Sequence, residues 1–236
     1  MKSNGQLEPE AGNTGGEFRS RTSEAYERIR EDVISGKLAP GCKLKIDQLR
    51  EEYEVGGTPV REALSYLAAD GLVVREEQRG FRVAEVSAEE FEELLHVRCS
   101  TEERALRLAI KKGGKAWEEG IVVARYRLFT REHQSGLDTE WERHHKSFHM
   151  SLIAGCGSNI LMRLCKQLYD ENNRYRYFAR LHSFSHRHVK AEHEAIAAAT
   201  LARESDRAVD LLVSHYIETG NLLRVAIREL TASPST

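Results

Sequence analysis

Apolar residues along most of the chain recur three and four positions apart, a pattern that predicts amphipathic α-helices. The clearest case is the stretch 58–71, whose apolar face consists of Val60, Ala63, Leu64 and Leu67. Pro59 is tolerated in the first turn of such a helix, and Gly71 suits its end. A shorter helix is predicted at 47–54, before a turn that contains glycine. Two short helices joined in this way indicate a helix-turn-helix, although the pattern alone also allows an ordinary helical hairpin.

The sequence changes to a strand-like pattern directly after Gly71. Residues 72–75 and 81–84 are short β-rich runs separated by a polar segment that ends in Gly80, which predicts a two-stranded hairpin. Upstream, the pattern predicts a helix from Ser23 to Ser35, then a turn and a short extended piece over 37–44. We therefore predict a winged helix-turn-helix domain at 21–84, with three helices and a two-stranded wing.

The sequence from Ser87 to Leu230 shows no strand pattern and predicts six helices separated by glycine-containing or polar breaks. Ser87 and Glu90 form a capping box at the start of the first helix. The predicted spans are 88–112, 115–133, 139–154, 159–181, 185–203 and 205–230. We therefore predict an all-α six-helix bundle at 85–232, so the expected fold class is mostly α. Residues 1–20 have almost nothing to bury and predict a disordered tail.

Composition limits the partners of the chain. It has 35 Lys and Arg residues against 37 Asp and Glu, a formal charge of -2, and the segment 21–84 has 11 basic and 12 acidic residues. Any contact with nucleic acid must therefore be local. The four cysteines show no metal-type spacing and suit a reducing cytosol. No apolar run approaches the ~20 residues that span a bilayer, so we expect a soluble cytoplasmic protein with no membrane partner.

Four of the ten histidines are placed like metal ligands: His145, His149, His193 and His215. The first two are four residues apart, so they share one helix face and can bind one ion. The other two lie among apolar residues of later helices, and spacing alone favours buried core histidines there over ligands. The pair at 145 and 149 lacks the adjacent Glu of a HExxH protease. This argues against the alternative of a metal-dependent enzyme.

Several short motifs together resemble a known family. Pro40-Gly41, Leu49, the string Thr58–Leu64, Gly71-Leu72-Val73 and Arg79-Gly80 resemble the winged-helix domain of GntR-family bacterial transcription regulators. The helical remainder resembles the FCD effector domain of the FadR-like subfamily. The resemblance implies a homodimeric regulator, here a repressor, that binds double-stranded operator DNA and responds to a small organic acid. A metabolite-binding protein with a degenerate DNA-binding domain is the remaining alternative.

The residues expected to contact DNA are Thr58, Arg61, Arg79 and Gly80. Arg61 projects from the first turn of the helix predicted at 58–71, the second helix of the helix-turn-helix. A guanidinium at this position can bond a guanine through two hydrogen bonds. Thr58 and the helix N-terminus suit a phosphate, and Arg79-Gly80 forms the tip of the wing. A surface ion pair with Glu54 or Glu62 is the alternative role for Arg61.

This chain departs from the family directly before the second helix. It has Gly56 and Gly57 where the family usually has Ser or Thr followed by Arg. The helix therefore lacks a side-chain cap, which is typically worth ~1 kcal/mol. We expect DNA binding that is weak and strongly dependent on salt, or an unusual operator.

The resemblance also implies a metal site. Metal-binding FCD domains have one Asp and three His, and His149, His193 and His215 match the three His positions. His145 stands at the Asp position. Replacing an anionic oxygen with a neutral nitrogen favours Zn²⁺ or Ni²⁺ over Mn²⁺ and makes the site more attractive to an anionic effector. We expect Zn²⁺, with Ni²⁺ or Mn²⁺ as alternatives.

Arg98 matches an Arg that FCD domains point into the effector cavity, where it could pair with a carboxylate through two hydrogen bonds. An i,i+4 ion pair with Glu102 is the alternative role. Four further side chains lie on helices expected to border the same cavity, although the sequence does not fix their facing. They are Tyr126, Asn172, Asn173 and Arg176.

Overall fold

The computed structural model describes residues 20–130, 139–180 and 189–231. These ranges contain nine α-helices and three short strands, which confirms the mostly α fold class. The predicted tail, apart from Ser20, lies outside the described residues. So do the helix boundaries predicted at His133, Leu181 and Ser185 and the domain end predicted at residue 232.

The N-terminal part is a winged helix-turn-helix. Its elements are α1 (Arg21–Ile34), β1 (Lys43–Leu44), α2 (Ile46–Tyr53), α3 (Gly57–Ala69), β2 (Val73–Glu76) and β3 (Gly80–Val83). The three strands form an antiparallel sheet in the order β1-β3-β2. β1 lies in the short extended piece predicted within 37–44, but its pairing as a third strand of the sheet was not predicted, because a run of two residues is too short to show alternation.

The ends of these elements follow local chemistry. Ser20, rather than the Ser23 we predicted, caps α1, because its hydroxyl accepts a hydrogen bond from the backbone N–H of Ser23 at 3.1 Å. Gly71 follows α3 with a φ of +76°, a conformation that glycine adopts without strain. The tight turn into β2 therefore depends on this glycine.

The C-terminal part is a six-helix bundle. Its elements are α4 (Ala88–Lys112), α5 (Lys115–Phe129), α6 (Thr139–Ile153), a 3₁₀ turn (Ala154–Cys156), α7 (Asn159–Arg180), α8 (Val189–Leu201) and α9 (Ser205–Thr231). Ser87 caps α4 by accepting from the backbone N–H of Glu90 at 3.3 Å, as the capping box predicted. Helix α4 packs against α7 and α9, and α5 packs against α6. Within the described ranges, no helix is both long and apolar enough to cross a bilayer.

Each part has its own hydrophobic core. The core of the winged part includes Ile29, Leu64 and Leu67, which are fully buried, and burying such a side chain contributes about 1.5–3 kcal/mol. The core of the bundle is formed by residues of α4 to α9. Tyr177 is an exception, because it lies on α7 of the bundle but packs in the core of the winged part. The two parts are therefore joined through α7.

Candidate functional site

Four imidazoles meet inside the helical bundle. His145 and His149 lie one turn apart on α6, His193 lies on α8 and His215 lies on α9. One ring nitrogen of each lies within 4.8 Å of the other three, and the Nε2 atoms of His145 and His149 are 3.1 Å apart. All four side chains are buried. The fold thus brings together the four histidines that the sequence singled out.

Tyrosines from two other helices orient the histidines of α6. The hydroxyl of Tyr169 on α7 lies 2.7 Å from Nδ1 of His145, and the hydroxyl of Tyr216 on α9 lies 3.1 Å from Nδ1 of His149. Both Nδ1 atoms are therefore engaged by groups outside the cluster. The two Nε2 atoms face each other and are the atoms available to a metal ion.

Two carboxylates and one guanidinium complete the surroundings. Glu192 lies 2.7 Å from Nδ1 of His215, which leaves Nε2 of that ring for a metal ion. Nη1 of Arg176 on α7 lies 3.0 Å from Nδ1 of His145, and its guanidinium pairs with Glu142 at 3.3 Å. The cluster is thus surrounded by polar groups that hold its rings in place.

Burial is the main cause that lowers the pKa of both α6 histidines well below the usual value for histidine. For His145 the next cause is the positive charge of Arg176, and for His149 it is the neighbouring His193 and His215. Both rings are therefore neutral at pH 7. Neutral imidazole is the form that binds a metal ion.

The donor set fits a divalent transition metal. Zinc binds imidazole nitrogen at about 2.0–2.1 Å, so two ligands of a tetrahedral zinc ion lie about 3.4 Å apart. The separation of 3.1 Å between the Nε2 atoms of His145 and His149 is close to that value, whereas the four donor nitrogens as a set lie within 4.8 Å of one another, so the rings would draw together around an ion. Four neutral nitrogen donors suit Zn²⁺ or Ni²⁺ better than Mn²⁺, which prefers oxygen.

Arg98 on α4 is buried beside the histidine cluster, with 4 % of its surface exposed. Its Nε donates to Glu102 and its Nη1 to Asn172, both at 2.7 Å. The hydroxyl of Tyr216 donates to Glu102 and also contacts His149. The ion pair that was the alternative for Arg98 therefore forms. The same network links Arg98 to the histidines.

The candidate DNA contacts are all exposed, on α3 and at the tip of the wing: Thr58, Arg61, Arg79 and Gly80. Within residues 20–130, Arg61 forms no ion pair with Glu54 or Glu62, and Glu62 accepts a hydrogen bond from Thr22 at 2.8 Å instead. The guanidinium of Arg61 is therefore accessible to a ligand. Gly80 has a φ of +95° and open space where a Cβ would lie.

Gly56 is the N-cap residue of α3, and the helix has no side-chain cap. A Ser at this position would accept from the second or third backbone N–H of the helix. The third residue is Pro59, which has no N–H, so Thr58 offers the remaining partner. The missing cap therefore weakens α3 by less than the ~1 kcal/mol expected for an ordinary helix.

Comparison with known proteins identifies both parts of the chain. The family model described as bacterial regulatory proteins, gntR family, matches residues 21–83, and the FCD domain model matches residues 93–218. The chain belongs to the GntR family. This GntR regulator is therefore a DNA-binding transcriptional regulator rather than an enzyme, and its bundle is of the FCD class, which is known to bind metal ions.

Relatives are similar in sequence to this chain over most of its length. The uncharacterized HTH-type transcriptional regulator BphR of Paraburkholderia xenovorans is 35% identical over 87% of this chain and 86% of its own length. The HTH-type transcriptional repressor GlaR of Escherichia coli is 33% identical over 82% of this chain and 91% of its own. The solved structure of E. coli McbR/YncC covers 87% of this chain and 98% of that chain with a TM-score of 0.75. At 20% identity, it shows the shared fold.

Sequence reasoning missed the side chains of this GntR regulator that surround the cluster. Tyr169, Glu192 and Tyr216 carry no motif, and helical spacing alone does not show that they face the histidines. Asn172, Asn173 and Arg176 all lie on α7, the first two buried and the third partly so, whereas Tyr126 on α5 is 68% exposed. Tyr126 therefore does not line the bundle interior.

Proposed function

We propose that this GntR regulator is a homodimeric repressor whose bundle binds a divalent metal ion, Zn²⁺ before Ni²⁺ or Mn²⁺. The proposed ligands are His145, His149, His193 and His215. The observation that carries the proposal is the convergence of four buried imidazoles within 4.8 Å. Buried imidazole nitrogens need polar partners, and a metal ion is a partner that all four rings can share.

The proposed effector is a small carboxylate that binds beside Arg98. Arg98 and Arg176 flank the cluster through their contacts with Tyr216 and His145. Each guanidinium is paired with a carboxylate, Glu102 and Glu142 respectively, and the effector carboxylate would take the place of such a partner. A divalent ion held by four neutral histidines keeps its full charge, whereas the Asp of related sites would remove one unit. This difference favours an anion, and a carboxylate can bond a guanidinium through two hydrogen bonds.

The proposed functions are divided between the two predicted domains. Residues 21–84 bind operator DNA, and residues 85–232 hold the metal ion, the effector and the second protomer. Arg61 reads a base edge, Thr58 binds phosphate, and Arg79 and Gly80 bring the wing against the DNA backbone. The name of GlaR, a transcriptional repressor, supports repression as the mode of control.

Metal analysis of protein purified without a His tag tests the site. We expect about one equivalent of zinc per chain in the wild type and none in the double variant His149→Ala/His193→Ala. His144→Ala is the matched control, because His144 lies on α6 outside the cluster and is only partly buried. A wild type with no more metal than the double variant would remove the site from the mechanism.

Electrophoretic retardation of the DNA upstream of its own gene tests the DNA-reading role. We expect Arg61→Ala to lose the shift. Arg104→Ala, which removes the same charge from an exposed position on α4, should keep it. Equal binding of random DNA by the wild type and Arg61→Ala would contradict specific reading and favour the degenerate-domain alternative.

A further inference from the structure

Helix α7 contacts the histidine cluster with one face and the winged part with the next. The first face carries residues spaced three and four apart: Tyr169, Asn172 and Arg176. The second face has the same kind of spacing, about a quarter turn away: Asp170, Arg174 and Tyr177. A movement of α7 therefore changes its contacts with the histidine cluster and its contacts with the winged part at the same time.

Asp170 on the second face joins three helices. It accepts hydrogen bonds from Arg30 of α1 and from Lys146 of α6. The side chains of Arg30, Asp170 and Lys146 are 15%, 10% and 25% exposed, respectively. We call these three residues the ion triad. Because the triad is largely shielded from water, its attractions are stronger than those of surface pairs.

The other residues of this face, Arg174 and Tyr177, also hold α7 to the winged part. Arg174 donates to the backbone carbonyls of Ala84 and Glu85, each at 3.3 Å. Tyr177 is buried in the core of the winged part. The winged part is therefore held to α7 both by polar contacts and by packing.

The ion triad lies directly beside the histidine cluster. Lys146 follows His145 on α6, and Asp170 follows Tyr169 on α7, whose hydroxyl lies 2.7 Å from Nδ1 of His145. A force that fixes His145 therefore also fixes the α6 end of the triad. The path from this histidine to α1 runs through the adjacent Lys146 of α6 and Asp170 of α7 to Arg30 of α1.

We infer that Arg30, Lys146 and Asp170 are positioning residues that couple occupation of the four-histidine site to the placement of the winged part. The inference rests on the proposed metal site. A metal ion holds α6 against α8 and α9, and the triad passes that restraint through Asp170 to α1. Coupling requires an element whose arrangement both sites bias, and the α6-α7-α1 junction is that element.

A purely structural triad would behave differently. It would hold α1 equally well with and without metal, and its loss would loosen α1 in both conditions. If the triad couples the two sites, the protection of α1 against hydrogen exchange depends on whether metal is bound. The two cases are therefore distinguished by how much added metal slows hydrogen exchange in α1, rather than by the exchange rate of α1 in either condition alone.

Hydrogen exchange of the full-length protein, stripped with chelator and measured with and without added Zn²⁺, tests the inference. In the wild type we expect Zn²⁺ to slow exchange in α6 (residues 139–153) and also in α1 (residues 21–34), by about 5-fold or more. In Asp170→Asn the slowing in α6 should remain and the slowing in α1 should disappear. Lys146→Gln, which keeps the pair of Arg30 with Asp170, should also lose most of the α1 effect.

Asp206→Asn is the matched control, because it removes the exposed partner of Arg107 at 2.6 Å, and it should behave as the wild type. Slowing in α1 that persists in both Asp170→Asn and Lys146→Gln overturns the inference and leaves the metal site standing. No slowing in α6 of the wild type overturns the metal site, and the inference falls with it. If Asp170→Asn does not fold, Lys146→Gln alone decides.

Discussion

Removing one member of the Arg98–Glu102 pair should cost more stability than removing both. The side chains are 5% and 1% exposed, and Nε lies 2.7 Å from the carboxylate. In Arg98→Met, Glu102 remains as a buried charge whose remaining partner among the contacts described above is the hydroxyl of Tyr216. Leaving a buried charge without its counter-ion costs about 3–5 kcal/mol.

The double variant Arg98→Met/Glu102→Gln removes the charge imbalance. The amide oxygen of Gln can still accept from Tyr216, and the methionine side chain fills most of the space of the arginine stem. The loss of the guanidinium over the Tyr216 ring, 4.0 Å from its centroid, costs roughly 0.5–2 kcal/mol. Asn172 also loses its donor at Nη1, which costs about 1–3 kcal/mol in both variants. We therefore expect the double variant to be less stable than the wild type but more stable than Arg98→Met.

Urea unfolding followed by circular dichroism measures these differences. Excess chelator removes the contribution of metal binding, and a fixed protein concentration keeps the contribution of association the same for all variants. An Arg98→Met variant that loses less than about 1 kcal/mol, or single-variant effects that simply add in the double variant, would refute the reasoning. The result also decides how to test effector binding, because a destabilising Arg98→Met would make Arg98→Lys the appropriate probe.

Three other predictions follow from the site and the wing. Tyr169→Phe removes the hydroxyl 2.7 Å from His145 and should weaken Zn²⁺ binding about 10–100-fold in competition with a chromogenic chelator; unchanged affinity would contradict its orienting role. Chelation should lower the melting temperature of the wild type, because ligand at 100 times its Kd contributes about 2.7 kcal/mol, but not that of His149→Ala/His193→Ala. Gly80→Ala, at φ +95°, should destabilise the protein by about 1–2 kcal/mol and weaken DNA binding, whereas Gly120→Ala in α5, with open space around it, should not destabilise it.

Helix and turn patterns were sufficient to predict most of the fold. Helical periodicity, the capping box at Ser87 and the glycine after α3 are local signals, so they are visible without tertiary contacts. The paired strand β1 has two residues and obtains its hydrogen bonds from β3, which lies far along the chain. Its strand character therefore comes from the partner rather than from its own sequence.

The histidine site shows where local reasoning ends. His145 and His149 are four residues apart, so helix geometry alone places them together. His193 and His215 lie on other helices, and only the packing of α6 against its neighbours decides that they meet. Spacing favoured core histidines at these two positions, and they are buried, but the structure also brings them to the α6 pair.

Tyr177 limits how such proteins can exchange their parts. A hybrid that joined residues 20–84 to the bundle of a distant relative would keep the recognition helix but replace the aromatic ring that closes its core. Losing a buried ring of this size costs about 3–5 kcal/mol. The winged part therefore obtains some of its stability from α7. A hybrid that is meant to keep the DNA specificity of the winged part, whether made in the laboratory or by recombination, must therefore also include α7.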